Sequence, residues 1–112
     1  MLIYKIFTAD QWAALDRDGQ TMGAPIDLSD GYIHFSTAEQ AVETAAKHFA
    51  GQDNLVLAAI EAGDLGNAIR WEPSRGGALF PHLYAPLMRT AVRWAKPLQL
   101  GLDGSHRFPD LT

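Results

Sequence analysis

The sequence predicts a compact α+β domain, and three observations support this fold class. The chain has 112 residues, which is long enough for one hydrophobic core and too short for two independent ones. Hydrophobic residues make up 47% of the chain and charged residues 20%, a composition typical of a packed globular protein. Strand and helix patterns alternate without the regular spacing of a doubly wound fold. We therefore expect one domain over residues 1–112, in which residues 101–112 form an irregular tail.

The first predicted elements are a strand and a short helix. Residues 1–7 form the strand, and Thr8 and Gln11 form a capping box that begins the helix. The helix stops by Gly19. Residues 19–31 are rich in Gly, Asp, Ser and Pro, and they predict a long surface loop of the kind that covers pockets.

A second strand and a longer helix follow. Residues 32–35 alternate, so that His34 and Ser36 share a polar face. Ser36 and Glu39 predict a second capping box at the start of the helix.

The second half of the chain is predicted to be mostly strands. Residues 55–60 are apolar on both faces and predict a covered strand in the middle of a sheet. Residues 69–72 and 91–95 predict two further strands, and Pro97 is expected to end regular structure.

The composition excludes several classes of protein. The chain has no cysteine, which excludes disulfides, thiol nucleophiles and thiolate metal sites and is typical of a reducing cytoplasm. The N-terminus lacks the features of a signal peptide, and the longest apolar run, residues 55–60, is far shorter than the roughly 20 residues of a membrane-spanning helix. We therefore expect a cytoplasmic protein with no membrane partner.

The charge distribution favours a small anionic ligand. The net charge of −4 disfavours broad nucleic-acid binding. Residues 1–69 hold three basic residues against ten carboxylates, whereas residues 70–112 hold six against three. This asymmetry suits a nucleotide-like anion at the basic half, although charge pairing between the two halves explains it equally well. The sequence identifies no protein partner.

Two segments, 30–36 and 70–84, hold the chemically capable side chains, and we interpret them as one site in two pieces. In the first segment, His34 lies just before a helix N-terminus, whose free amides and dipole favour an anion. The alternative is a structural histidine beneath the 19–31 loop, with Ser36 only capping the helix.

The second segment contains a turn suited to phosphate. Ser74 and Arg75 offer donors, and the two glycines that follow permit positive φ angles and close backbone approach. The alternative is a tight connection between strands with Arg75 in solvent. Glu72 shares a strand face with Arg70, so it either pairs with that arginine or orients a sugar hydroxyl in the pocket.

His82 and Tyr84 are expected to point the same way because they alternate. The alternative places Tyr84 at an edge of the core with Phe80 and Leu83. No His-x-His or HExxH spacing is present, so a metal site is not expected, and without GxSxG a serine hydrolase is not expected either.

These segments resemble a known family. Residues 30–36, residues 55–60 and the run 70–87, with RWEPSRGG followed by FPHLY, resemble the bacterial family called domain of unknown function family 952, although the family usually has Gly where this chain has Ala85. Structures of that family resemble the ADP-ribosyltransferase fold, a split mixed sheet with a cleft for NAD. The resemblance therefore implies a mixed or antiparallel split sheet with flanking helices, and it implies no established activity.

The resemblance also implies roles for individual residues. His34 matches the strand histidine that holds the NAD ribose in that superfamily, and Tyr84 would stack on nicotinamide. Glu72 or His82 would stabilise the oxocarbenium-like state that forms as nicotinamide leaves. The implied residues are His34, Glu72 and His82 as catalytic groups, and Ser36, Thr37, Ser74, Arg75 and Tyr84 as ligand-binding groups, with Arg75 at the pyrophosphate. The chain lacks the Gln-x-Glu or Glu-x-Glu pair of active transferases.

Three functional hypotheses follow, of which the third, metal-dependent hydrolysis at His34, His82 and Glu72, would require stoichiometric metal in the purified protein. The first is a protein that binds NAD, ADP-ribose or a phosphorylated nucleotide in a cleft formed by 30–37 and 70–84, with glycosidic or ADP-ribosyl transfer as its chemistry. The second is a non-catalytic interaction module of the same fold, whose cleft would be shallow or filled by Trp71 and Phe80. No cofactor follows from the residues themselves, and NAD is the one that the resemblance implies.

Overall fold

The computed structural model describes residues 1–111, apart from the side chain of Arg75. Strands and helices alternate up to α3, and the rest of the described chain is strands joined by loops and 3₁₀ turns. The helices are α1 (Ala9–Asp18), α2 (Pro25–Asp30) and α3 (Ala38–His48), and the 3₁₀ turns are Ala62–Ala68, Arg75–Gly77 and Arg89–Ala91. The strands are β1 (Leu2–Thr8), β2 (Gln20–Thr21), β3 (Ile33–His34), β4 (Leu55–Glu61), β5 (Ile69–Pro73), β6 (Leu79–Leu83), β7 (Leu87–Met88), β8 (Val92–Leu100) and β9 (His106–Arg107).

The larger sheet is antiparallel and has the order β1-β4-β8-β9. β4 lies between β1 and β8, which confirms the central strand that the apolar run at 55–60 predicts. Leu57, Ala58 and Ala59 are completely buried, as expected for a strand that is covered on both faces.

A second antiparallel sheet, β3-β6-β5, meets the first sheet beside β1. There the backbones of Tyr4 and Ser36 pair through two hydrogen bonds of 2.8 and 2.9 Å. Phe35, the residue before Ser36, bonds to the second sheet, because its N–H donates to the carbonyl of Pro81 in β6 at 3.0 Å. The two sheets therefore separate at this point. The result is a domain of curled antiparallel sheets with helices, which confirms the α+β class.

Apolar side chains cover both faces of the larger sheet. On one face Ile3 and Phe7 of β1 pack with Leu15 of α1, and on the other Tyr4 packs with Ala41 of α3. Each large apolar side chain that is buried in this way contributes about 1.5–3 kcal/mol.

The start of α1 agrees with the sequence. The Thr8 hydroxyl accepts the Gln11 N–H at 3.2 Å, and the Gln11 side-chain oxygen accepts the Thr8 N–H at 3.0 Å. Gly19 ends the helix with a φ of 80°, where a residue without Cβ is favoured. Both predicted ends of α1 are confirmed.

The cap of α3 lies one residue later than the sequence predicts. Thr37 is the N-cap, and its hydroxyl accepts the Gln40 N–H at 3.3 Å. Ser36 instead pairs with β1, and its hydroxyl contacts that of Thr44 at 2.9 Å. The predicted box of Ser36 and Glu39 is wrong, because strand pairing holds Ser36 outside the helix.

The segment 19–31 is not the long loop that its composition predicts, because it contains β2 and α2. Pro25 occupies the first turn of α2, where its missing N–H loses no helical hydrogen bond. The Ala24 N–H donates to Asp27 Oδ2 at 2.7 Å, so a side chain inside the helix caps it. This short helix depends on tertiary contacts of Asp27, which a local composition argument does not detect.

β8 also continues beyond the predicted stop. Pro97 lies within the strand, opposite Val56 of β4, whereas β9 begins to pair only at Gln99. In the described part of the chain, Pro97 therefore has a strand neighbour on one side, and a proline is tolerated at such a position. The expectation that Pro97 ends regular structure is wrong, and β9 gives part of the predicted tail a regular strand.

Candidate functional site

The β3-β6-β5 sheet has one apolar face and one polar face. Side chains alternate along each strand, so that Ile33 and Leu83 point into the core. The register places His34 opposite His82 and His82 opposite Arg70. Six side chains form the surface that we call the polar face: Tyr32, His34, Arg70, Glu72, His82 and Tyr84.

Tyr32 lies at the centre of the rings on the polar face. Its ring centroid is 4.1 Å from that of His82, 4.7 Å from that of His34 and 5.2 Å from that of Tyr84. Burial, followed by the charges of Asp30 and Glu72, raises the pKa of Tyr32. The phenol is therefore a neutral, polarisable ring surface at physiological pH.

Glu72 joins two of these rings. Its Oε1 accepts the Tyr84 hydroxyl at 2.6 Å and lies 2.8 Å from Nδ1 of His82. The bond from Tyr84, and then that from His82, lowers the pKa of Glu72, so it is a carboxylate at neutral pH. An ionised carboxylate only accepts hydrogen bonds, so Nδ1 of His82 is the donor. The hydrogen bond that Tyr84 donates to Glu72 raises the pKa of Tyr84 itself.

His34 lies between two carboxylates. Its Nδ1 is 2.5 Å from Oδ1 of Asp27, and its Nε2 is 2.9 Å from Oδ2 of Asp30. The His34 side chain is 32% exposed, so its outer edge can be reached from solvent. The ring is fixed on its inner side and accessible on its outer side.

Asp27 is buried together with Lys5. The Lys5 Nζ lies 2.9 Å from Oδ2 of Asp27 and donates to the His34 carbonyl at 3.1 Å. Burial by itself raises the pKa of Asp27, but the His34 bond and the Lys5 charge outweigh it and lower the value to about 2. For Lys5, burial lowers the pKa, and Asp27 counters part of that effect.

A cavity of about 570 Å³ opens where the two sheets separate. Lys5 and Ile6 both line it although they point to opposite faces of β1, so the cavity lies at the edge of that strand. His34 and His82 line it from the polar face, and Phe80 adds an apolar wall. It combines apolar walls with a few polar groups, as small-molecule sites do.

The structure brings most of the predicted site residues together. His34, Glu72, His82 and Tyr84 share the polar face, and Ser36 and Ser74 line the cavity. Thr37 caps α3, and the side chain of Arg75 lies outside what the structure describes. The turn at Arg75–Gly77 connects β5 to β6, and its two glycines have φ angles of 66° and 83°.

The sequence reasoning missed Lys5 and the two carboxylates around His34. One signal for Lys5 was available, because it alternates with Ile3 and Phe7 and therefore points into the core. A second signal was the spacing of Asp30 and His34, which are four residues apart.

The described residues contain neither a metal-binding cluster nor a membrane-spanning helix. No group of three or more His, Cys, Asp or Glu side chains in residues 1–111 could hold a metal ion. No helix in the described chain is long and apolar enough to cross a membrane.

The sequence matches the family model described as "Protein of unknown function (DUF952)" over residues 6–95. No curated protein matches it. The chain is similar to protein CC0527 from Caulobacter crescentus, a structural genomics target. The match to its crystal structure has 51% sequence identity, covers 96% of this chain and 94% of that chain, and has a TM-score of 0.92. The match to its solution NMR structure has 53% sequence identity, covers 93% of this chain and 90% of that chain, and has a TM-score of 0.84. The chain therefore belongs to the DUF952 family, whose function is unknown.

Proposed function

We propose that the protein binds a nucleotide of the ADP-ribose type, with NAD as the candidate substrate, in the cleft beside the polar face. One observation carries this proposal: a single sheet face presents a cluster of rings and a carboxylate next to a cavity of about 570 Å³. Pockets of roughly 300–1,000 Å³ are usual for small-molecule and cofactor sites. Rings suit planar bases, and imidazole with carboxylate suits sugar hydroxyls.

The ribose would bind at His34 and Asp30. A hydroxyl group both donates and accepts, and these two side chains offer an N–H donor and a carboxylate acceptor 2.9 Å apart. A phosphate would meet the negative charge of Asp30 at this position, whereas a hydroxyl would not. The pair therefore supports a sugar rather than a phosphate beside His34.

The base and the phosphates would bind farther along the polar face. Tyr84 is 42% exposed and offers its ring for stacking. The Arg70 guanidinium lies 5.1 Å from the centroid of that ring and adds positive charge beside it. Ser74 at the cavity and Arg75 remain the residues proposed for the pyrophosphate.

The chemistry proposed for this site is transfer of the ADP-ribosyl group of NAD, in which the glycosidic C–N bond to nicotinamide breaks and the same sugar carbon forms a bond to an acceptor nucleophile. Glu72 would stabilise the positive charge that develops on the sugar as nicotinamide leaves, and its lowered pKa keeps it ionised at neutral pH. His82 is 3% exposed and donates to Glu72, so it would hold this carboxylate in place. Two antiparallel sheets that separate around a cleft support a resemblance to the ADP-ribosyltransferase fold.

An NMR titration of ¹⁵N-labelled protein with NAD, ADP-ribose and AMP tests the proposal. We expect saturable shifts at the polar face and Ser74, and their loss in His34→Ala. The matched control is His106→Ala on β9. It removes an imidazole whose Nε2 lies 2.8 Å from the Gln52 carbonyl oxygen, and it should leave the shifts unchanged. Absence of shifts at millimolar ligand would overturn the proposal.

A non-catalytic interaction module is the second candidate, and exposed apolar side chains favour it. Ile26 is 59% exposed and Leu79 52% exposed, and neither position requires an apolar residue for the core. Trp71 alternates with Arg70 and Glu72 and so lies on the face opposite to the polar face. A protein that binds none of the three nucleotides would favour this second function.

A further inference from the structure

The pair of Lys5 and Asp27 lies in the layer that contains Ile3 and Phe7, where a charged pair is unfavourable for folding. Lys5 is 7% exposed and Asp27 1% exposed. Burying two charges costs several kcal/mol per ion before their attraction is counted, and apolar residues of similar volume often serve stability as well or better. A buried pair of this kind calls for an explanation other than stability.

Asp27 is held by contacts from three parts of the chain. Its Oδ2 accepts from Lys5 Nζ at 2.9 Å and from the Ala24 N–H at 2.7 Å, and its Oδ1 accepts the His34 N–H at 3.0 Å. A Cβ at Gly23 would collide with this carboxylate, and Gly23 also has a φ of +103°. The chain is therefore shaped closely around the carboxylate of Asp27.

We infer that Asp27, held by Lys5, is a positioning residue that keeps a proton on Nδ1 of His34 and directs Nε2 toward the cleft. Nδ1 lies 2.5 Å from Oδ1 of Asp27, which as an ionised carboxylate can only accept. A carboxylate that accepts from one ring nitrogen keeps a hydrogen on that nitrogen and sets where the other nitrogen points. Nε2 then contacts Asp30 in the free protein. In the complex it would contact the ligand hydroxyl, and this step rests on the proposed function.

A purely structural ion pair would behave differently. Its loss would lower stability but would leave the protonation of the His34 ring unchanged in molecules that fold. In Asp27→Asn, Lys5 and Ala24 still donate on one side of residue 27, whereas only the His34 backbone N–H remains a fixed donor on the other. The amide oxygen therefore turns toward Lys5 and Ala24, and the NH₂ turns toward His34. An NH₂ group donates, so Nδ1 must then accept and lose its hydrogen.

The test is a long-range ¹H–¹⁵N correlation spectrum of histidine side chains at neutral pH without ligand, in which each ring nitrogen reports whether it carries a proton. We expect a protonated Nδ1 of His34 in the wild type and an unprotonated one in Asp27→Asn. The matched control is Asp30→Asn, which makes the same change at the other ring nitrogen and should leave Nδ1 protonated.

An unprotonated Nδ1 in the wild type would overturn the inference even if Asp27→Asn fails to fold, and so would a protonated Nδ1 in a folded Asp27→Asn. Titration with ADP-ribose then separates the two proposals. If the wild type binds, Asp27→Asn should bind about tenfold to a hundredfold more weakly, as expected for loss of a hydrogen bond to a charged group. If the wild type does not bind, the proposed function fails, and the spectrum still decides the role of Asp27.

Discussion

At the scale of single residues, the bond between Tyr84 and Glu72 makes a prediction about ionisation. The Tyr84 hydroxyl is the main cause of the lowered pKa of Glu72. Tyr84→Phe removes this donor and keeps the ring, so we expect the pKa of Glu72 to rise toward its ordinary value. A ¹³C NMR titration of the glutamate carboxyl carbons measures it. Tyr32→Phe is the control, because its hydroxyl does not donate to Glu72, and an unchanged titration in Tyr84→Phe would contradict the assigned bond.

Asp27 makes a second prediction at this scale, on stability against pH. Its pKa is about 2 in the folded protein and 3.8 ordinarily. A carboxyl whose pKa is lowered by folding stabilises the protein above its unfolded pKa, and this stabilisation is lost as the pH falls through the folded pKa. We therefore expect ionised Asp27 to stabilise the protein at neutral pH by about 2 kcal/mol relative to its protonated form, a contribution that disappears between about pH 4 and pH 2.

Urea unfolding across that pH range measures this contribution. The wild type should lose stability more steeply with acid than Asp27→Asn, in which residue 27 has no proton to gain. Asp16→Asn is the control, since Asp16 pairs at the surface with Arg89 and should keep the wild-type slope. Equal slopes in wild type and Asp27→Asn would show that folding does not lower the pKa of Asp27.

The polar face could be predicted from the sequence, but the buried pair of Lys5 and Asp27 that holds His34 could not. Alternation along a strand places His82 and Tyr84 together, and this rule needs only the sequence. Lys5 is recognisable as a charge inside the core, yet any of the 13 acidic residues could be its partner. Asp27 is identified only by the fold, because it lies 22 positions further along the chain than Lys5.

At the scale of elements, the start of α3 shows why caps are hard to place from sequence. Two overlapping patterns are present, Ser36 with Glu39 and Thr37 with Gln40, and both fit a capping box. The pairing of Ser36 with Tyr4 selects the second pattern. Local chemistry therefore gave two acceptable answers, and a contact from a distant strand selected one of them.

The cap of α3 gives the third prediction. Thr37→Ala removes the oxygen that accepts the Gln40 N–H, so it should destabilise the protein by about 1 kcal/mol. Thr37→Ser keeps this oxygen and should remain within a few tenths of a kcal/mol of the wild type. Chemical denaturation measures both variants. Equal losses in the two would show that the methyl group of Thr37, and not its hydroxyl, stabilises the helix.

At the scale of the whole molecule, the point where the sheets separate has no signature in the sequence alone. The strands of both sheets have apolar stretches that predict pairing, but pairing order depends on contacts far apart in the chain. β1 pairs with β4 over seven residues and with Ser36 at a single bridge. A family resemblance implies a split sheet, whereas periodicity implies only strands.

This architecture makes the last prediction, on the distribution of stability. β4 lies at the centre of the larger sheet, whereas α2 has six residues and exposes Ile26 and Leu28. An isolated helix of that length is unstable in water, so α2 depends on the contacts of Asp27. Amides of α2 should therefore exchange with solvent by local opening, and those of β4 only by global unfolding.

Native-state hydrogen exchange at increasing urea separates the two classes of amide. The Leu28 and Gly31 amides, which donate to Ala24 and Asp27 carbonyls, should open with a lower free energy that is insensitive to urea. Lys5→Met should lower that free energy further relative to global stability, because Asp27 then loses its buried cation. Joint exchange of α2 and β4 at all urea concentrations would mean that α2 is as stable as the core, and it would contradict the prediction that α2 opens locally.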